Sequence, residues 1–431
     1  MARNYYRHGM HFFTPELDSY GWPQSAGTEF PIYSYLLAML YKLLGLHEVL
    51  GRLLSLFLTA WSAVFLYEFV KPRLDAPTAF WAAIVMCSIP VHIYFTRTVQ
   101  PESMALWGLL GFIRYVDRWR KSGSAGAWMA ATLLGAVGPL LKLPFMYLIL
   151  GLWGMLAVEN RGLFRRVAFW CMPAVIVLST LAWYHYAQSA PDQVLPLGPA
   201  EQWRNLSDAF HWAYWQDQMI SRFPELCATY SGLLLGFLGV RALRRTGKSF
   251  VWLGWWGVTL VYTGLLGEYG HIHRYTLLPW APVNAVFIAA GIIFIWELVP
   301  GRTHWRWILA TLILGIPVHA ALRIKHWYRV ERAYLFRAQP IVAAHTGPGD
   351  LILTNTRETP VLLYYLDRYG FAVDLDHARP AEVDALLRQG PKLFVTPIEG
   401  SWTRHPEWAD FFAKRGRLLQ KDPDYLIYEL P

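Results

Sequence analysis

Four short segments carry the side chains able to do chemistry, and each interrupts an otherwise apolar chain. In TRTVQPES (Thr96 to Ser103), Pro101 suits the first turn of a helix and sets Glu102 beside free backbone N–H groups. A carboxylate there either stabilises the helix N-terminus or, as a costly ionisable group at membrane depth, serves a function. In GPLLKLPFMY, Lys142 sits between two closely joined apolar runs, where Pro139 and Pro144 are expected to interrupt helix and open a polar pocket. Its ammonium is either an anchor reaching for the interface or a point contact for a phosphate. In EYGHIHRYTLLPWAP (Glu268 to Pro282), Arg274 can grip a phosphate with two N–H groups, with Tyr275 and His273 beside it. His271 and His273 form an H-x-H pair without a third ligand, so no metal is expected. Asp18 and Glu29 bracket DSYGWPQSAGTEFP and are either solvated loop acids or the lining of an acceptor groove.

The elements that must position these groups are membrane helices. The chain has 431 residues, 55% hydrophobic and only 16% charged, well below the roughly 25% charged share of soluble domains. Ten spans can be drawn, at about 48–70, 77–95, 101–117, 126–141, 143–157, 165–185, 228–242, 250–267, 274–297 and 305–322. Alternate gaps carry basic clusters: Lys71/Arg73, Arg118/Arg120/Lys121, Arg161/Arg165/Arg166, Arg241/Arg244/Arg245/Lys248 and Arg302/Arg306. The other gaps hold only Arg97, Lys142, Arg204, Arg222 and Arg274. Lys/Arg excess marks the cytoplasmic side, so the four chemistry-bearing segments all lie outside. The net charge of +9 is spread over cytoplasmic loops, which argues for lipid attraction and against nucleic acid. No Walker loop, GxGxxG, HExxH or CxxC occurs, so no cofactor is expected, and the three cysteines read as small core residues.

Residues 1–47 are then an external segment, in which PIYSYLLAMLYKLLG reads as an amphipathic interfacial helix. Residues 186–227 form a second external loop rich in Trp and Tyr. The bundle occupies 48–325, and from about residue 331 the composition becomes that of a soluble domain. LILTNT, KLFVTPI and DYLIYEL read as strands. PVLLYYLDRYG, PAEVDALLRQG and HPEWADFFAKRG read as helices, each stopped by its glycine. The expected fold is mainly α: a polytopic transmembrane bundle with a small C-terminal α/β domain at 331–431 on the extracytoplasmic side.

Four stretches together resemble the GT-C superfamily, the polyprenyl-phosphate-sugar-dependent glycosyltransferases that include aminoarabinose transferases and protein O-mannosyltransferases. TEFPIYSYLLAMLYKLLGLHEVLGRLLS is similar to the family's juxtamembrane helix running into the next span. TRTVQPES resembles its second acidic motif, LLKLP its lysine-proline turn and HIHRYTLLPWAP its outer-loop motif. The resemblance covers roughly residues 3–285 and leaves out the C-terminal domain. It implies transfer of a sugar from a polyprenyl-phosphate donor to a lipid, glycan or protein acceptor on the extracytoplasmic face. Charge topology points to a plasma or inner membrane or an equivalent such as the endoplasmic reticulum, and the lack of a cysteine framework leans bacterial. Glu102 would then be the catalytic carboxylate, with Lys142, Arg274, Tyr275 and His273 on the donor phosphate. Asp18 and Glu29 would line the acceptor side. In the family a first acidic motif precedes a stretch resembling Ala2-Arg3-Asn4-Tyr5-Tyr6, at the end of one more spanning helix. The sequence lacks that helix and its Asp, and is expected to be incomplete and inactive alone. Rival readings are a transporter or lipid flippase, or a non-catalytic membrane scaffold; Arg52, Glu68 and Arg114 toward helix ends argue against midplane transport sites.

Overall fold

The computed structural model describes residues 1–18, 20–22, 24–189, 192–193, 207–298, 303–356 and 359–431. Arg204, Arg302 and part of the 186–227 loop therefore lie outside the described residues. The chain forms two compact units: a helical unit of Glu29–Gln188 with Leu195–Tyr328, and a mixed unit of Met1–Thr28, Ser189–Val194 and Arg329–Pro431. In chain order, the mixed unit opens with α1 (Ala2–His8), β1 (Glu16–Leu17), β2 (Tyr20–Gly21) and β3 (Gln24–Gly27).

The helical unit follows with α2 (Ile32–Leu44), α3 (Val49–Val70), α4 (Ala76–Ser88), α5 (Pro90–Phe95) and α6 (Glu102–Ser122). Next come α7 (Ala125–Leu141), α8 (Phe145–Glu159) and α9 (Val167–Ala187), then α10 (Trp212–Ala228), whose larger part is a π-helix. The unit closes with α11 (Tyr230–Arg245), α12 (Phe250–Leu266), α13 (Glu268–Ile272), α14 (Trp280–Leu298) and α15 (Thr303–Ile324). Every run expected to span is helical. Among the described residues four stretches are long and apolar enough to cross a membrane alone: Val49–Val70, Val167–Ala187, Arg274–Leu298 and Thr303–Tyr328. A fifth is the pair α10–α11 if its 94° bend at Thr229 is counted as one span. The expected 77–95 span is broken at Ile89–Pro90 into α4 and α5, because proline cannot bond back to the preceding turn.

The helices sort by burial as membrane helices do. The central α14 is buried along most of its length, whereas α3, α9 and α15 present Phe57, Trp61, Leu178, Leu181, Trp307 and Leu314 outward. Lipid tails satisfy such faces, so helix contacts must come from close packing rather than from hydrophobic exclusion. Gly239 on α11 shows this: a Cβ there would collide with the Phe287 carbonyl of α14. Cys227 is buried, but Cys87 and Cys171, expected in the core, face outward from α4 and α9.

The mixed unit is larger than the C-terminal segment read from composition. It gathers β4 (Asp192–Gln193), α16 (Leu335–His345), β5 (Leu351–Asn355), α17 (Val361–Leu366), β6 (Tyr369–Val373), α18 (Pro380–Leu387) and β7 (Leu393–Pro397). It ends with α19 (Ser401–Arg404), α20 (Glu407–Ala413), β8 (Arg417–Lys421) and β9 (Tyr425–Glu429). Six strands form one sheet in the order β2-β6-β5-β7-β9-β8. β5 pairs parallel with both β6 and β7, while β9 runs antiparallel to β7 and β8. The near-continuous apolar run of β5 suits a central strand covered on both faces. One helix stop differs from expectation. Asp367, with φ 53°, ends α17, and Gly370 lies within β6 because its Cβ would strike the Ile352 backbone.

Candidate active site

Two close-packed helices bring the first two candidates together. Gly108 of α6 lies so near α7 that a Cβ would stand 2.7 Å from the Leu134 carbonyl. That approach sets Glu102, in the first turn of α6, against Lys142, which caps α7 in an extended conformation. Pro139 does not interrupt α7 as expected. It stays inside the helix at the loss of one backbone hydrogen bond, and the break is confined to Lys142–Pro144.

Lys142 Nζ lies 3.0 Å from Glu29 Oε1 and 3.3 Å from Glu102 Oε1. Glu102 is buried, and its Oε2 has no hydrogen-bond partner among the described residues. The four groups Glu102, Lys142, Tyr269 and Tyr275 line a small crevice with Tyr262 and Thr276. Tyr269 and Tyr275 hydroxyls share a hydrogen bond of 2.8 Å, and the ammonium lies 5.4 Å from the Tyr275 ring centre. Burial disfavours the Lys142 charge, yet Glu102 and Glu29 outweigh it and hold the ammonium well above its ordinary pKa. His273 stacks on Tyr275 at 5.0 Å, and burial together with Lys142 pushes its pKa below the ordinary value.

Arg274 is not in that crevice. Its guanidinium lies 5.5 Å from the Trp327 ring centre, on an aromatic wall where Tyr94 packs on Trp327 at 4.8 Å and on Tyr328 at 5.7 Å. The same wall carries Arg97, stacked 3.9 Å from the Tyr328 ring centre, with its Nε buried and unpartnered. Among the described residues neither arginine forms an ion pair with a carboxylate. Phe95 joins the two places, touching Trp327 at 5.7 Å and Tyr275 at 6.0 Å. Sequence reading noted Arg97 only as an outer charge. The missed signal was its place five residues before Glu102 in one outer turn.

The remaining candidates separate. Asp18 belongs to the mixed unit, where Arg3 Nη2 at 2.8 Å and Asn4 Nδ2 at 2.6 Å donate to it, and Asp367 takes Arg3 Nη1 at 3.0 Å. That arrangement neutralises a buried arginine. Glu29 joins the crevice cluster instead of an open acceptor groove. Arg222 donates to Asp217, Gly270 O and His271 O, and so pins the turn before Arg274. Among the described residues no group of three His, Cys, Asp or Glu side chains is placed to hold a metal.

The chain sets an acid at the head of one helix against a lysine turn, in a fold similar to those of solved ArnT and AglB structures. The dolichyl-phosphate-mannose-protein mannosyltransferase family matches residues 28–185. The structure is similar to ArnT from Cupriavidus metallidurans bound to undecaprenyl phosphate, with TM-score 0.64 and 12% identity over 99% of this chain and 91% of that one. It is also similar to the archaeal oligosaccharyltransferase AglB from Archaeoglobus fulgidus, in complex with an inhibitory peptide and a dolichol-phosphate. There the TM-score is 0.64 and the identity 10%, over 96% of this chain and 66% of that one. No curated protein matches the sequence.

Proposed function

We propose that this integral membrane protein is a glycosyltransferase that moves a sugar from a polyprenyl-phosphate donor to an acceptor hydroxyl on the extracytoplasmic face. The observation that carries the proposal is the unpartnered Glu102 Oε2, buried beside the crevice and next to a lysine shared by two carboxylates. That oxygen is placed to take the proton of an acceptor hydroxyl. As the acceptor oxygen bonds to the sugar's anomeric carbon, the bond from that carbon to the phosphate oxygen breaks. The polyprenyl phosphate leaves with the electron pair. Its added charge needs preplaced cations, and Arg274 and Arg97, on the aromatic wall that Phe95 joins to the crevice, form no ion pair among the described residues. Lys142 is then a positioning residue for Glu102 rather than the expected phosphate contact.

The decisive test is transfer from a radiolabelled polyprenyl-phosphate sugar in membranes containing the chain. Glu102→Gln should lower the rate about 10²–10⁴-fold, and unchanged transfer in that variant would overturn the assignment. Sidedness follows the basic loops: a bacterial inner membrane with the crevice outward. Ser207→Cys, at an exposed position, should react with a membrane-impermeant maleimide in intact cells. Reaction only after permeabilisation would reverse the orientation.

A further inference from the structure

The mixed unit holds a cavity of about 650 Å³ that the transfer chemistry does not use. Its place follows from strand order. The three parallel strands run β6-β5-β7, so the chain leaves β5 toward β6 on one side and later returns to β7 on the other. In open α/β sheets such a reversal parts the loops beyond the carboxyl ends of the two strands, and ligands bind in the crevice this creates. The cavity lies at that point: Asn355 ends β5 and Thr356 follows it, while Pro397 ends β7 and Glu399 and Ser401 follow it.

The buried end of the cavity is ordered before any ligand arrives. Asn355 donates through Nδ2 to Thr396 Oγ1 at 3.0 Å and to Ser401 Oγ at 2.8 Å. Its Oδ1 accepts from the Leu375 N–H. Tyr334 forms another wall and is held by stacking on Tyr425 at 5.7 Å. At the mouth stand Glu331, Glu399 and Arg332, exposed and without an ion pair among the described residues, and Arg404, already paired with Asp376.

We propose that this cavity is a carbohydrate-binding site, separate from the transfer crevice, for one or two uncharged sugar rings. Sugar hydroxyls both donate and accept. Buried hydroxyls, an amide-anchored floor and carboxylates at the rim meet them with both roles. The Tyr334 ring offers a surface for the apolar face of a pyranose. Phosphate-bearing ligands are disfavoured: α19 is a single turn, no glycine-rich loop precedes it, and the rim carries more free carboxylates than free cations.

The full chain in phospholipid nanodiscs, free of sugar-headed detergent, should bind methyl mannoside, methyl glucoside or N-acetylglucosamine saturably in a saturation-transfer NMR titration. Glu399→Gln, at the exposed rim, should weaken that binding about tenfold, the range of one hydrogen bond to a charged group. Ser401→Ala should weaken it as well, and Lys414→Ala, outside the cavity, should leave it unchanged. Saturable binding of inorganic pyrophosphate in place of the sugars would overturn the proposal. So would the absence of binding by all three sugars, or sugar binding that Glu399→Gln leaves intact. Glu102→Gln should keep full sugar affinity while losing transfer, so failure here is distinguishable from failure of the transfer reading.

Discussion

Helix α6 carries a buried carboxylate near each end, and the two are built differently. Toward its C-terminus Asp117 accepts from Arg73 and Arg120 at 2.7 Å each on one oxygen and from Lys121 at 2.9 Å on the other. Glu159 adds a second acid, 3.4 Å from Arg73 and 3.1 Å from Arg120. At the opposite end Glu102 shares one lysine with Glu29 and leaves Oε2 unpaired against a crevice. A buried carboxylate with both oxygens met tolerates burial, as Asp117 does even though Arg73 Nε and Arg120 Nε stay unpartnered. A half-satisfied one is costly, and cost of that kind is retained where a reacting group must still find its partner. On the proposed reading the Asp117 end anchors and the Glu102 end does the chemistry.

The largest expected effect tests that division directly. Glu102→Gln should lower transfer by about 10²–10⁴-fold with little change in melting temperature, because one oxygen is unpaired already. Asp117→Ala should do the reverse. Leaving Arg73 and Arg120 without their central acid should destabilise the chain by about 3–5 kcal/mol, while the folded fraction keeps its turnover. Thermal denaturation beside a transfer assay reads both, and equal stability losses in the two variants would erase the distinction.

The next effect concerns the aromatic wall. Arg274→Ala and Arg97→Ala should each lower transfer by about 10²–10³-fold, the usual result of removing one donor to a developing oxyanion. Lysine at either position should restore only part, because an ammonium cannot bond in the bidentate, ring-stacked manner. Full rescue by Arg274→Lys would mean that charge alone matters there.

The smallest effect is a pH dependence. His273 titrates below its ordinary value because it is half-buried and faces Lys142, so it is neutral at pH 7. An unfolded chain takes up that proton near pH 6.5, before the folded chain does. Stability should therefore be complete above about pH 6.5 and decline as pH falls toward the lowered value. His273→Gln should flatten that acid-side decline in melting temperature, measured against wild type between neutral and mildly acidic pH.

Much of this was legible in the sequence. Apolar runs gave the four stretches long and apolar enough to cross a membrane among the described residues, but not α10, which lies in the segment read as an external loop and joins α11 in a bent candidate span. Glu102 and Lys142 stood out because charge is rare there. The N-terminal segment was less legible. Residues 1–28 read as a loop, yet Tyr20–Gly21 adds a strand to a sheet formed mostly by residues 351–429. Two residues of edge pairing leave no periodicity to read.

The sequence by itself determined which segments are apolar runs and which are polar, because that follows from local composition. Tertiary structure decided partnership. It gave Lys142 to two carboxylates, sent Arg274 to an aromatic wall with Arg97, and placed Asp18 with Arg3. It also chose the β6-β5-β7 order that opens the second cavity. The physical reason is range. Transfer into lipid acts on a segment alone, whereas an ion pair needs two groups within about 4 Å, a distance set by how glycines such as Gly108 let helices approach.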